Sequence, residues 1–162
     1  MLQQEQAASW HAFVWLRDAH WRLAMGLALP VWLGLGLWVG DGMRAPAGWQ
    51  AWLSLVLIQP LLEEAVFRGL LQGELLQRCR RHGRPLRLGP LTLANTLVTL
   101  LFVALHLRVQ PLFWALAVAG PSLLLGHLRE RLGSVWPGVL AHGWFNLGFA
   151  CTAWLAQSPR GH

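Results

Sequence analysis

Charged residues are scarce in this chain of 162 residues: they make up 12% of it, whereas hydrophobic residues make up 55%. Soluble domains carry about 25% charged residues, so the composition argues against a soluble globular protein. Lysine and tyrosine are absent, and the two cysteines, Cys79 and Cys151, lie in different surroundings, one beside arginines and one in an apolar run. We therefore predict neither a disulfide nor a cysteine metal site.

Tryptophan and arginine are the residues that stand out. Eleven tryptophans are present, several of them near the ends of apolar runs, as in the aromatic belt of a membrane protein. All thirteen basic residues are arginines, and most of them cluster between the apolar runs. This placement indicates membrane topology rather than nucleic-acid binding. We predict an integral membrane protein that contacts the lipid bilayer and has no nucleic-acid partner.

The apolar runs predict an all-α, polytopic membrane helical bundle of about five transmembrane helices. The predicted spans cover 22–40, 49 to the high seventies, 91–107, 111–128 with a kink at Gly120-Pro121, and 135–155. Residues 1–21 mix apolar and polar residues, which predicts an interfacial amphipathic segment. The chain thus divides into an N-terminal part over 1–47, a core over 48–157 and a short tail over 158–162.

The distribution of the arginines orients these spans. If the N-terminus is cytoplasmic, nine arginines flank the spans on the cytoplasmic side, and Arg44, Arg108 and Arg160 lie outside. Arginine is enriched in cytoplasmic loops. We therefore predict a cytoplasmic N-terminus and an external C-terminus.

Two adjacent glutamates, Glu63 and Glu64, lie inside the apolar second span. Carboxylates at bilayer depth are costly, so this pair predicts a functional site. Glu64 and Arg68 are four residues apart and can pair on one helix face, as a scaffold. Glu63 is rotated by about 100° from Glu64, has no such partner on its helix, and is the predicted general base. The alternative is that both acids only cap the bundle interior.

Two histidines and an asparagine follow in apolar surroundings. His142 and Asn146 are four residues apart on one helix face and can donate hydrogen bonds to a developing oxyanion. Phe102 precedes His106 by one turn and can pack against its ring. The helix lengths place His106 about 24 Å and His142 about 12 Å from the cytoplasmic ends of their spans. They converge only if the third helix begins outside the hydrocarbon.

In chain order, these residues form three motifs: Glu63-Glu64-Ala-Val-Phe-Arg68, Phe102-Val-Ala-Leu-His106 and His142-Gly-Trp-Phe-Asn146. They match EExxxR, FxxxH and HxxxN. The region from about 55 to 150 resembles the CPBP family, the CAAX-processing and bacteriocin-processing intramembrane proteases.

The resemblance implies hydrolysis of a peptide bond in a membrane-anchored peptide or protein, such as a C-terminal sorting or CAAX-like segment. It fits a small bacterial enzyme of the plasma membrane. By this resemblance, Glu63 and His106 activate water, and His142 and Asn146 form the oxyanion hole. Glu64, Arg68 and Phe102 support the site, and no cofactor or metal is required.

A polar stripe continues along the face of the third span that carries His106; it comprises Thr92, Asn95, Thr96 and Thr99. Two interpretations stay open: a groove that contacts the substrate, or polar residues that join transmembrane helices.

Three rival functions also stay open. Two histidines and a glutamate suit zinc, which would make the protein an intramembrane metalloprotease, although no motif reads HExxH. A non-catalytic membrane scaffold or bacteriocin-immunity protein is the second rival, although it would not need to keep all three motifs. A transporter that relays protons through the acids is the third.

Overall fold

The computed structural model describes residues 14–39, 42–81, 83 and 87–157. Most of the predicted amphipathic segment (1–13) and the predicted tail (158–162) lie outside these residues. The described part is mostly helical. Val14–Arg17 forms a short 3₁₀ turn, and helix α1 follows over Ala19–Trp38. The Asp18 carboxylate starts α1 by accepting hydrogen bonds from the backbone N–H groups of His20 and Trp21.

Helix α2 is continuous over 48–81 but alternates between two types of helix. It is α-helical over Gly48–Leu53, Gln59–Glu63 and Gly73–Arg81, and π-helical over Ser54–Ile58 and Glu64–Gln72. Segments of π-helix occur frequently at functional sites. The second one contains Glu64 and Arg68, and it begins directly after Glu63.

The second half of the chain adds four helices and a small hairpin. The antiparallel strands β1 (Arg87–Leu88) and β2 (Leu91–Thr92) precede α3 (Leu93–His106). The fourth predicted span consists of α4 (Leu112–Ala117) and α5 (Ala119–Leu132), so its break lies at Val118, two residues before the predicted kink. Gly133, with a φ of 68°, ends α5, and α6 covers Trp136–Gln157.

Contacts between the helices give their relative directions. Near the start of α1, Trp21 donates to the Pro137 carbonyl at the start of α6, and near its end Gly36 abuts Thr152, so α1 and α6 are parallel. Helix α2 is antiparallel to α6, because Leu55 meets Asn146 while Gly69 lies beside Val135. The contacts of α3 with α5 are likewise antiparallel. Successive helical segments therefore run up and down the bundle.

Within the described ranges, two helices are long and apolar enough to cross a bilayer, Ala19–Trp38 and the combined segment Leu112–Leu132. Leu93–His106 is apolar but shorter. The bundle interior contains small residues and leucines, including Ala24, Leu125, Leu128 and Ala141. Many large apolar side chains instead point outward, among them Leu23, Leu27, Leu33 and Leu37 of α1. Such an outer surface fits a lipid environment better than water.

Candidate active site

A buried ion pair lies at the centre of the bundle. Glu64 and Arg68 are each only 1% exposed, and Glu64 Oε2 lies 3.5 Å from Arg68 Nε. The pair joins adjacent turns of α2, as the spacing of four residues predicted. Arg68 Nη2 also donates to the Oγ of Ser122 on α5 at 2.7 Å and to the Ser122 carbonyl at 2.8 Å. Because the Arg68 charge is buried away from water, its stabilisation depends on Glu64 and Ser122.

His142 of α6 lies between the two glutamates. Its Nδ1 is 3.1 Å from Glu64 Oε1, and its Nε2 is 3.7 Å from Glu63 Oε2. A carboxylate only accepts hydrogen bonds, so Nδ1 carries a proton that it donates to Glu64. The Glu63 side chain is 30% exposed. Glu63 therefore lies at the open side of the cluster, while Glu64 is held inside it.

His106, near the end of α3, is held by residues of its own helix. Its Nδ1 lies 2.8 Å from the Phe102 carbonyl, which can only accept, so Nδ1 is protonated and Nε2 keeps its lone pair. The Phe102 and His106 rings are 4.3 Å apart, and Phe67 packs edge-on against Phe102. The ring contact that the sequence predicted thus fixes the orientation of the His106 ring.

Asn146 is held against the first π-helical segment of α2. Its Nδ2 donates to the Leu55 carbonyl at 2.9 Å. Gly143 allows this approach, because a Cβ at residue 143 would lie 2.6 Å from the Val56 carbonyl oxygen. Gly138 has the same function one turn before His142, where a Cβ would lie 2.9 Å from Glu64 Oε2. Two glycines therefore bring α6 close to α2 on either side of His142.

Helices α3 and α6 begin at different levels of the bundle. Thr92, directly before α3, bonds Glu130 near the end of α5, and Gln72 bonds the same carboxylate. Val135, directly before α6, lies beside Gly69, about one turn deeper along α2. Helix α3 thus starts about one turn farther out than α6, which accounts for about 5 Å of the roughly 12 Å difference in level that the helix lengths predicted.

The polar stripe on α3 faces α5. Thr92, Asn95 and Thr99 are buried. Asn95 Nδ2 donates to the Leu123 carbonyl at 2.9 Å, and the Thr99 and Ser122 hydroxyls are 3.0 Å apart. Thr96 bonds back to the Thr92 carbonyl of its own helix. These contacts favour the second interpretation, polar residues that join helices, over a substrate groove.

Three polar residues of this region were not among the predicted site residues: Ser122, Gln72 and Glu130. The sequence did carry a signal for Gln72, because it follows Arg68 by four residues and so lies on the same face of α2. In the structure, Gln72 is fully buried. Ser122 carried none, since its contact with Arg68 arises only when α5 packs against α2. Glu130 accepts hydrogen bonds from Gln72 and Thr92, and so links α2 and α5 to the residue directly before α3.

The zinc alternative requires His106, His142 and a glutamate as ligands. Within the described residues, no three His, Cys, Asp or Glu side chains form a group that could hold a metal ion. Nδ1 of His142 is committed to Glu64, and Nδ1 of His106 to the Phe102 carbonyl. Only Nε2 of each ring faces away from these partners.

Comparison with known proteins identifies the family. The model of the Rce1-like family, described as type II CAAX prenyl endopeptidase Rce1-like, matches residues 45–148. This range contains all three motifs and covers more than half of the chain. No curated protein and no solved structure matches the chain. The chain therefore belongs to the Rce1-like family of type II CAAX prenyl endopeptidases, a membrane-embedded family of proteases within the CPBP group.

Proposed function

We propose that this protein is an intramembrane endopeptidase of the glutamate type, which hydrolyses a peptide bond in a membrane-anchored peptide or protein. The observation that carries the proposal is the contrast between the two adjacent acids. Glu64 is buried and engaged by Arg68 and His142, whereas Glu63 is 30% exposed and lies 3.7 Å from His142 Nε2. That distance exceeds a hydrogen bond, so the Glu63 carboxylate is available to accept a proton from water.

The chemistry follows from the remaining atoms of the cluster. Glu63, assisted by the lone pair of His106 Nε2, accepts a proton from water while the water oxygen attacks the scissile carbonyl carbon. The negative charge that develops on the carbonyl oxygen is stabilised by the second N–H of Asn146 Nδ2 and by Nε2–H of His142, which is a donor when the His142 ring carries a proton on both nitrogens. The proton then passes to the amide nitrogen as the C–N bond breaks, which yields a carboxylic acid and an amine. No step in this scheme requires a metal ion.

The membrane setting of this reaction is also proposed. The described helices alternate in direction, and the helices over 19–38 and 112–132 are long enough to span a bilayer. We place five spans in a bacterial plasma membrane, with the N-terminus in the cytoplasm. The arginines near 78–87 and 129–131 then lie in the cytoplasm. The start of α1 lies on the same side as Arg131, because Arg131 pairs with Asp18 at 2.9 Å.

Comparative membrane proteomics tests the proposal in cells. Membranes from cells that carry the wild type are compared with membranes from cells that carry Glu63→Gln, which keeps the side-chain shape but cannot act as a base. We expect at least one membrane-anchored precursor to remain uncut only in the variant, with a new terminus in the wild type. Identical sets of termini in both membranes, with equal amounts of each protein, would contradict proteolysis.

A further inference from the structure

Arg68 needs more support than Glu64 alone provides. Its guanidinium is buried, and its Nε and Nη1 lack a hydrogen bond of good geometry within the described part of the chain. The close hydrogen bonds of the guanidinium are those of Nη2, and both go to Ser122, at 2.7 Å and 2.8 Å. The position of Arg68, and with it the position of Glu64, is therefore determined largely from α5.

The hydroxyl of Ser122 is itself oriented by α3. Nδ2 of Asn95 donates to the Leu123 carbonyl, so the carboxamide turns its Oδ1 toward Thr99. Oδ1 only accepts, and Thr99 donates its hydroxyl hydrogen to it at 3.5 Å. With the Thr99 hydrogen turned toward Asn95, Ser122 is the donor at the 3.0 Å contact between the two hydroxyls. This leaves the lone pairs of Ser122 Oγ for Arg68.

Tight packing keeps this chain of hydrogen bonds in place. Gly126 lies one turn after Ser122 on α5, and a Cβ there would overlap the Asn95 carboxamide. Ser122, Asn95 and Thr99 are all buried. Hydrogen bonds that run in one direction through a low-dielectric interior reinforce one another. The arrangement supports Arg68 with three neutral side chains from two other helices.

We propose that Ser122 is a positioning residue of the active site, supported by Thr99 and Asn95. This inference rests on the proposed function. The hydrogen-bonded chain of Ser122, Thr99 and Asn95, which we call the relay, holds Arg68 in place. Arg68 in turn holds Glu64, so that Glu64 keeps Nδ1 of His142 in place and Nε2 of His142 is turned toward Glu63. None of the three side chains touches the reacting atoms. The relay acts on the geometry of His142 during turnover and leaves substrate binding unchanged.

Kinetics provide the first test, with an internally quenched farnesylated CAAX peptide as the probe and purified protein in detergent micelles. Ser122→Ala should lower kcat about 10-fold, the effect of one hydrogen bond to a charged group, with KM within twofold. Thr99→Val, which keeps the shape but loses the hydroxyl, should lower kcat in the same way, whereas Thr99→Ser should retain most of it. Thr152→Val is the matched control, because its hydroxyl donates to the Gly148 carbonyl of its own helix; kcat should not change.

A second measurement does not depend on activity. Ser122→Ala should lower the apparent Tm by about 3–12 °C in the wild-type background, and by less than half as much in the Arg68→Met background, where the donor is gone. Equal shifts in both backgrounds, or a kcat of Ser122→Ala equal to that of the wild type, would overturn the relay. If the wild type does not cleave the peptide, the proposed function loses its support for this substrate class. In that case, the relay is tested by the Tm measurement alone, that is, by comparing the shift caused by Ser122→Ala in the wild-type and Arg68→Met backgrounds.

Discussion

Removal of the Glu64 charge isolates the contribution of the buried pair. Glu64→Gln keeps an oxygen that can accept from Nδ1 of His142, but it leaves Arg68 as a buried cation without its anion. Both side chains are 1% exposed in the wild type, and their atoms are 3.5 Å apart. Loss of one partner from a buried pair costs about 3–5 kcal/mol, because the remaining charge is uncompensated. For a chain of this length, that corresponds to about 6–20 °C in the apparent Tm.

The assay is thermal unfolding of purified protein in detergent, followed by tryptophan fluorescence, together with the amount of protein in the membrane. Glu63→Gln is the matched control on the adjacent residue. Its side chain is 30% exposed and lies 3.7 Å from its nearest ionic partner, His142, so we expect a change within about 1 kcal/mol. The double variant Glu64→Gln/Arg68→Met should recover part of the lost stability, because no unpaired charge remains. A Glu64→Gln protein as stable as the wild type, or a double variant less stable than Glu64→Gln, would refute this account of the pair.

Three further predictions concern packing, topology and metal dependence. Gly143→Ala should destabilise the protein by about 1–3 kcal/mol in thermal unfolding, because its Cβ would meet the Val56 carbonyl at 2.6 Å; Gly26→Ala, with open space around it, should not. A reporter fused after Gln157 should be active only outside the cytoplasm, and cytoplasmic activity would reject the five-span orientation. Purified enzyme should keep cleaving in a strong chelator, and Asn146→Ala should lower kcat about 10²–10³-fold with little change in KM; activity lost on chelation and restored by zinc would favour the metalloprotease alternative.

Local spacing was enough to predict the contacts within each helix. Glu64 with Arg68, and Phe102 with His106, are both four residues apart, and a helix brings such residues together whatever surrounds it. The long apolar runs also gave helices close to their observed bounds, such as Leu93–His106 for the predicted span 91–107.

Contacts between helices were harder to predict, because they depend on packing that a periodic pattern does not encode. Ser122 is 54 residues from Arg68, and only the crossing of α2 and α5 brings them together. The stripe of Thr92, Asn95 and Thr99 fits a groove or a helix interface equally well until α5 is placed. The π-helical segments of α2 have no clear signal in the sequence, although they shape the site on either side of Glu63.

The most direct test of the central claim is cleavage by purified protein in lipid vesicles. The substrate is the precursor that accumulates in the Glu63→Gln membranes, and wild type and Glu63→Gln are compared at equal amounts and equal apparent Tm. We predict that the wild type cuts the precursor at the terminus found in cells, and that Glu63→Gln is slower by about 10²–10⁴-fold, the contribution of a general base. A Glu63→Gln protein that cuts at the wild-type rate would contradict the role of Glu63 as the general base.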